Sequence, residues 1–308
     1  DGYVGKPAEA GTDVFAMDAG AGSSTIPNFD SGFPVDFAFE KTIAGGNSWS
    51  TGARLMQGRY LYTDTNIAAG EWDKMVFDSN TGWNNHSSYG SGDQSWMWKR
   101  HAGFDVVCYK GNGTAGHTIP HSLNAVPEMM WLKCRGQAET WIAYHKDLNG
   151  GTNPHTYFLQ LSSDSGESAW DWTNGTAPTS THFTLGTGAS INFALQYIVM
   201  LFASVDGISK VGSYTGTGSE QTITTGFQPR FLIIKRTDSS SRWSVFDTTR
   251  GWSSGSNDAV LQLDVNTAQI AGGASADMGN PTSTGFVLKT ASSHQNASGG
   301  KYIYYAHA

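Results

Sequence analysis

Short apolar runs separated by clusters of Gly, Ser, Asn and Asp recur along the whole chain. Residues 230–235 (RFLIIK) and 197–205 (YIVMLFASV) are almost continuously apolar, whereas residues 243–247 (WSVFD) alternate between the two kinds of side chain. Continuous runs of this length are typical of central strands covered on both faces, and alternation is typical of a partly covered strand. Turn signals follow at intervals of about 8–12 residues. The pattern predicts antiparallel strands and no helix longer than two turns.

One sequence module occurs three times. Its anchor is a lysine followed eight residues later by a tryptophan: Lys41 and Trp49, Lys133 and Trp141, Lys235 and Trp243. A Gly-rich turn and a Pro followed by an apolar stretch precede each lysine. The first copy has one extra residue between Pro and Lys, which a β-bulge would accommodate. The segments NTGW, PTSTHF and PTSTGF then occupy one place in the three copies.

Each copy ends with an aromatic residue and an alanine six residues later. These closing pairs are Trp96 and Ala102, Tyr197 and Ala203, and Tyr302 and Ala308. The landmarks divide the chain into residues 1–102, 103–205 and 206–308, which we call modules 1, 2 and 3; module 1 is the divergent copy. We expect an all-β fold of three tandem antiparallel β-sandwiches of the jelly-roll or lectin-like type. Because linkers are almost absent, neighbouring modules should pack rigidly on one another.

Composition and charge exclude several classes of protein. Glycine is 38 of 308 residues, aromatic residues make up 12% and charged residues 15%, which suits a β-rich globular chain with many turns. The net charge of −7 and the absence of Lys/Arg clusters argue against binding to nucleic acid. The longest apolar run has nine residues, so no membrane insertion is expected. The N-terminus shows neither an initiator Met nor a signal peptide, which leaves processing and a longer polypeptide both open.

Two cysteines, Cys108 and Cys134, are too few for a disulfide framework. Two buried free thiols and a single bridge between neighbouring strands both remain open at this stage. The chain contains no CxxC or HExxH motif and no D-x-D-x-D loop, so we expect neither a metal site nor a cofactor.

The repeat resembles a family of tail-fibre-like and virion structural proteins from marine bacteriophages. Units of that family combine aromatic-x-G-x-G, a Pro, an apolar strand ending in Lys, and W-x-x-x-D/H. Module 2 carries this pattern in Tyr109, Gly111, Gly113, Pro127, Lys133, Trp141 and His145, and module 3 in Tyr214, Gly216, Gly218, Pro229, Lys235, Trp243 and Asp247. Module 1 departs from it, with Met17-Asp18-Ala19-Gly20 in place of the opening. The family has no catalytic motif that could be transferred, so the resemblance implies a structural role.

The sequence contains few residues in patterns that are typical of catalytic sites. There is no G-x-S-x-G elbow, and His145 of module 2 aligns with Asp247 of module 3, an exchange typical of an exposed hydrogen-bonding position. Glycoside hydrolysis needs two facing carboxylates, and no such pair recurs among the modules. We therefore expect a protein that is not an enzyme.

The aromatic residues fall into two groups. Trp49, Trp141 and Trp243 recur at one place and are expected in the core, with the anchor lysines at strand ends over the indole faces. Loop aromatics are candidates for ligand contact or for burial against another module or subunit; they are Trp83, Tyr89, Trp170, Trp172 and Trp252. The WDW segment of module 2 has no counterpart in IAGGASADMGNP of module 3, which marks Trp170 and Trp172 as the strongest pair.

The sequence thus favours a non-enzymatic virion protein: a tail fibre, spike or capsid-surface appendage located at the virion surface. Its expected partners are other virion proteins, further copies of the chain (a trimer, by analogy with phage appendages) and host-surface glycans. The alternative is a secreted carbohydrate-binding module or an accessory domain of a polysaccharide-acting enzyme. Fold alone does not separate the two, since both use β-sandwiches with loop aromatics.

Overall fold

The fold is given by a computed structural model that describes residues 10–86, 90–255, 258–270, 277–289 and 291–308. In these residues, regular structure consists of antiparallel strands and four 3-10 segments of three or four residues at Gly11–Asp13, Arg54–Met56, Leu148–Gly151 and Pro154–Thr156. No helix in the described ranges has the length and apolar character needed to cross a bilayer. The prediction of an all-β fold is confirmed.

Module 1 builds a single eight-stranded sheet. Its strands are β1 (Phe15–Ala19), β2 (Phe29–Asp30), β3 (Phe37–Thr42), β4 (Ser50–Ala53), β5 (Gly58–Tyr62), β6 (Gly70–Val76), β7 (Gly82–Asn85) and β8 (Asp93–Trp98). They follow the order β1-β8-β3-β4-β5-β6-β7-β2. The chain therefore pairs its first strand with its last, and β3 lies between β8 and β4.

Module 2 divides its strands between a large and a small sheet. They are β9 (Phe104–Lys110), β10 (His117–Pro120), β11 (Met129–Cys134), β12 (Ile142–His145), β13 (Tyr157–Gln160), β14 (Ser168–Ala169), β15 (His182–Leu185) and β16 (Gln196–Phe202). The large sheet has the order β14-β13-β12-β11-β16-β9, and β10 pairs with β15 in the small sheet.

Module 3 repeats this plan. Its strands are β17 (Ser209–Thr215), β18 (Gln221–Thr224), β19 (Phe231–Arg236), β20 (Ser244–Asp247), β21 (Leu261–Gln262), β22 (Pro281–Thr282), β23 (Gly285–Leu288) and β24 (Lys301–His307). The large sheet has the order β17-β24-β19-β20-β21, and the small sheet the order β18-β23-β22.

The continuous apolar runs form central strands that are buried on both faces. In β19, Phe231 and Ile233 pack into one cluster of side chains, and Leu232 and Ile234 pack into another on the opposite face. β16 alternates in the same way between the two faces of its sheet. The strand interpretation of YIVMLF is therefore confirmed, and its uniform apolarity reflects two different cores.

The large sheets of the three modules share one hydrophobic cluster, which we call the inner core. It contains Phe39 of module 1, Trp131 of module 2 and Phe231 of module 3, and the Phe39 ring centroid lies 6.5 Å from Trp131 and 6.3 Å from Phe231. Each module keeps a second cluster, its outer core, on the opposite face of its large sheet. The modules therefore pack directly against one another, as the near absence of linkers predicts, and the division into three sandwiches stays a prediction.

The extra residue of module 1 does not form a β-bulge. Equivalent amides of the three modules donate to the closing strand: Asp36 to Trp98, Glu128 to Phe202, and Arg230 to His307, over N···O distances of 2.9, 2.8 and 2.8 Å. From Asp36 onward the register of β3 is unbroken. The additional residue therefore lies in the loop before the strand, where it disturbs no ladder hydrogen bond.

The closing strands also align differently from the sequence expectation. Tyr197 lies opposite Cys134 and Tyr302 opposite Arg236, at the residue after each anchor lysine. In module 1 that place belongs to Asp93, opposite Thr42, and not to Trp96. The aromatic-to-alanine spacing in module 1 is thus coincidental. At the place where modules 2 and 3 have a tyrosine, module 1 has the carboxylate of Asp93.

Cys108 and Cys134 are free thiols. They lie on β9 and β11, and β16 separates these strands in the sheet. Two strand spacings amount to about 9–10 Å, which is beyond the reach of a disulfide. Of the two possibilities left by the sequence, the structure has the free thiols.

Candidate functional site

The recurring tryptophans tie the modules into a ring. Each indole Nε1 donates to a carbonyl of another module: Trp49 to Gln262 at 2.9 Å, Trp141 to Tyr62 at 2.8 Å, and Trp243 to Gln160 at 3.0 Å. The three acceptors are structurally equivalent. In each module, the acceptor residue pairs across the sheet with the residue that follows the tryptophan of the same module: Tyr62 with Ser50, Gln160 with Ile142, and Gln262 with Ser244. Module 1 therefore contacts module 3, module 2 contacts module 1, and module 3 contacts module 2.

The anchor lysines follow the same cycle. Lys41, Lys133 and Lys235 donate through Nζ to the carbonyls of Asn266, Asn66 and Asp164, at 3.3, 3.1 and 2.8 Å. All three are almost fully buried, and burial lowers the pKa of Lys133 and of Lys235 to about 8. The lysines lie near the ends of their strands, as the sequence predicts, and their ammonium groups donate to backbone carbonyls of a neighbouring module.

Three of the loop tryptophans lie in the outer cores. Trp83, Trp172 and Trp252 are at most 1% exposed. Trp83 takes the place of Phe183 and Phe286 in the small sheets of the other modules, in accordance with the NTGW alignment. The expectation of solvent-facing ligand contacts is wrong for these three, because an outer core needs a large apolar side chain at each place.

Trp172 and Trp252 fill equivalent places in the outer cores of modules 2 and 3, although they come from different loops. Trp172 packs on Tyr144 with ring centroids 6.0 Å apart, and Trp252 packs on Phe246 at 6.2 Å. Tyr144 and Phe246 are equivalent by strand register. The WDW segment therefore has a structural counterpart in module 3 at a different place in the sequence.

Trp170 is partly buried at the edge of the outer core of module 2, where it contacts Phe158 with ring centroids 5.5 Å apart. It keeps partial exposure and remains a candidate for surface contact. Tyr89 lies outside the described residues.

Module 1 breaks the outer-core pattern at three neighbouring places. Where modules 2 and 3 have Leu132 and Ile234 before the anchor lysine, module 1 has Glu40. Where they have Leu185 and Leu288 at the end of a small-sheet strand, it has Asn85, and in place of Tyr197 and Tyr302 it has Asp93. All of these apolar counterparts are buried.

These polar side chains form a connected cluster around Glu40. The Asn85 Nδ2 group donates to both Glu40 carboxylate oxygens, at 2.8 and 2.7 Å, and Lys74 Nζ lies 3.6 Å from Oε1. Thr42 donates to Asp93 over 2.6 Å. Glu40 is only 4% exposed. Desolvation, reinforced by the nearby Asp93 carboxylate, raises the pKa of Glu40 to about 7 against the opposing effect of Lys74.

The cluster lines a cleft of about 440 Å³, which we call the module 1 cleft. Side chains of β3, β4, β5, β6, β7 and β8 contribute to it, and the loop after β3 provides Gly46, Asn47 and Ser48. Asn266 of module 3 completes the rim. Tyr62 supplies an aromatic ring, and burial raises the pKa of its hydroxyl to about 12. The cleft therefore combines carboxylates, ammonium groups, amides and hydroxyls in one cavity.

The surroundings of His145 and His294 bear on the question of catalytic groups. His145 and Asp247 are equivalent by register, but both are fully buried, so the exposed position expected from their exchange is wrong. Ser241 and His294 make a hydroxyl–imidazole contact of 2.8 Å through Nδ1. Among the described residues, no carboxylate hydrogen-bonds to Nε2 of His294, as an orienting group would.

A sequence signal for the module 1 cleft existed. The segment FEKT of module 1 aligns with WLKC and IIKR on the anchor lysine, so an acid stands where the other modules have aliphatic residues.

Within the described residues, no group of three His, Cys, Asp or Glu side chains is placed to hold a metal ion.

The raised pKa of Glu40 predicts a pH-dependent effect of Glu40→Gln. The carboxyl binds its proton more tightly in the folded chain (pKa about 7) than when unfolded (4.5), so its stabilising contribution is present below pH 4.5 and is lost as the pH rises to 7. Glu40→Gln should remove this loss and increase the unfolding free energy at pH 8 by about 3 kcal/mol.

Urea unfolding at pH 5 and pH 8 measures this difference. The matched control is Glu128→Gln. Burial alone would raise the pKa of Glu128, but hydrogen bonds from Ser204 and Lys146 together outweigh it and lower the pKa, so removal of this carboxylate should destabilise the chain at pH 8. A Glu40→Gln variant that is less stable than the native chain at pH 8 would show that the ion pair with Lys74 outweighs burial.

Comparison with known families gives one match. A family model described as "Domain of unknown function (DUF7483)" matches residues 89–308, which include β8 and all of modules 2 and 3. A search of curated proteins found no match to the chain. Because the matched region covers more than half of the sequence, the chain belongs to the DUF7483 family.

Proposed function

We propose that the chain is a non-enzymatic structural component of a bacteriophage particle, a tail fibre, spike or capsid-surface appendage, that contacts host-surface glycans. The observation that carries the proposal is the inner core shared by three large sheets and closed by Trp49, Trp141 and Trp243. Modules joined in this way form one rigid body, which suits an assembly subunit exposed to mechanical load. The resemblance of the repeat to virion structural proteins supports the same role.

Partners of this body would bind outside the inner core. The inner faces of the three large sheets are already buried against one another within one chain. A homo-oligomer, proposed as a trimer by analogy, and contacts with other virion proteins would therefore use outer surfaces and sheet edges.

A secreted carbohydrate-binding module is the second candidate. The module 1 cleft favours it, because a cavity of this size with several convergent polar groups is typical of a small-ligand site. Glycan contact is common to both candidates, so the location of the protein separates them.

Mass spectrometry of density-purified particles from the producing culture tests the location. We expect the chain in the particle fraction, in constant ratio to the major capsid protein across independent preparations. Recovery in the particle-free medium alone would overturn the virion proposal and support the secreted module.

A further inference from the structure

We propose that the module 1 cleft binds a neutral saccharide unit of one or two sugar rings. This inference rests on the glycan-contacting part of the proposed function and assigns it to a site away from the loop tryptophans. The cleft lies on the outer face of β3 and β8, between the loop after β3 and Asn266 of module 3.

The size of the cleft fits such a ligand. Its volume of about 440 Å³ lies within the range of small-molecule sites, roughly 300–1,000 Å³. Glu40, Asp93 and Asn85 at the cleft are almost completely buried, whereas Asn47 at the rim is exposed. A ligand can therefore enter past the rim and meet preorganised polar groups inside.

The balance of charge favours a neutral ligand. Two acids, Glu40 and Asp93, and two bases, Lys41 and Lys74, line the cleft, and each base already has partners. An anionic ligand would face both carboxylates, and a cationic one both ammonium groups. Uncharged hydroxyls avoid either repulsion, since each can donate to a carboxylate oxygen and accept from an amide or ammonium group.

The lining matches the surface of a sugar ring. Amide, hydroxyl and carboxylate groups of Asn47, Ser48, Ser50 and Asp93 can pair with ring hydroxyls. The Tyr62 ring provides an apolar surface for the C–H groups of a pyranose. Lys74 Nζ lies over one face of the Tyr62 ring, 5.6 Å from the ring centroid.

The comparison among modules shows that the polar cluster is not required by the fold. At the same positions module 2 has the buried residues Leu132, Leu185 and Tyr197, and module 3 has the buried residues Ile234, Leu288 and Tyr302. A buried acid at a position that otherwise holds an aliphatic side chain opposes stability. Functional sites are where such exceptions to apolar core packing are expected.

Binding to an array of neutral, sialylated and sulfated glycans tests the proposal. Two variants are compared with the native chain: Glu40→Leu/Asn85→Leu, which installs the residues of module 2, and Asn47→Ala/Ser48→Ala, which changes only the rim and so avoids the buried residues. The matched control is Ser239→Ala/Ser240→Ala, in the exposed equivalent loop of module 3. Trp170→Ala tests the loop of module 2.

We expect the native chain to bind neutral glycans, both cleft variants to bind them at least about tenfold more weakly, and the control and Trp170→Ala to bind as the native chain does. Absence of binding by the native chain, preference for acidic glycans, or unchanged binding by the rim variant would each overturn the saccharide site. These outcomes leave the particle location untouched, which mass spectrometry decides separately.

Discussion

Trp141→Ala is expected to lower the unfolding free energy of the whole chain by about 3–5 kcal/mol. Its indole is fully buried in the inner core and donates to the Tyr62 carbonyl of module 1. Truncation therefore leaves a large cavity and an unsatisfied carbonyl between two modules. Because all three modules share this core, we expect one cooperative unfolding transition at a lower denaturant concentration.

Guanidinium unfolding, followed by tryptophan fluorescence and by circular dichroism, measures this loss. The matched control is Trp170→Ala, which removes a partly exposed indole from the outer edge of the same module and should cost about 1 kcal/mol. If Trp141→Ala produced a separate early transition of module 2 alone, the modules would be independent and the shared core would be disproved.

Acidification from pH 7 to pH 5 is expected to destabilise the chain through two fully buried histidines, His145 and His307, and the largely buried His101. Burial lowers the pKa of His101 to about 4 and those of His145 and His307 to about 3. The unfolded chain therefore binds protons below pH 6.5 that the folded chain excludes. Stability from these groups is complete above pH 6.5 and falls as the pH drops towards 3, by about 2 kcal/mol per histidine at pH 5.

The histidine effect is best measured in the Glu40→Gln background, since Glu40 changes stability in the opposite direction between pH 4.5 and 7. His145→Asn should flatten the dependence of unfolding free energy on pH, because an amide oxygen can replace Nδ1 as acceptor for the Asp147 amide without titrating. His155→Gln, at a half-exposed site, is the control. Equal slopes in all variants would contradict the assignment to buried histidines.

Local pattern was sufficient to predict the strands and the repeat. The apolar runs became β16 and β19, and the anchor lysines hold equivalent register positions in all three modules. Both results depend on short-range sequence, since strand alternation and turn residues are encoded within about ten residues.

Long-range packing was not predictable in the same way. Trp172 and Trp252 fill equivalent places from different loops, so alignment by sequence position made one of them look unique. The ring contacts join carbonyls and side chains up to 225 residues apart, as between Lys41 and Asn266. Such pairs leave no periodic signal in a single sequence.

The module 1 cleft was missed for a further reason. Sequence spacing puts the aromatic closing motif of module 1 on Trp96, which hides the exchange of Tyr197 and Tyr302 for Asp93. The strand register, in contrast, places Glu40, Asn85 and Asp93 at the positions of the three apolar residues. Glu40 alone, next to the anchor lysine, was visible in the sequence as an acid at an aliphatic position.

The central claim is that the module 1 cleft is a functional exception to the outer core of the repeat. Thermal unfolding of Glu40→Leu/Asn85→Leu at pH 8 tests it most directly, because the variant replaces a buried polar pair with the residues of module 2. The variant removes the buried carboxylate together with the amide that donates to it, and Lys74 keeps its hydrogen bond to Ser50, so we predict a midpoint about 2–4 °C above that of the native chain. A midpoint several degrees lower would show that the cluster stabilises the fold and would contradict the claim.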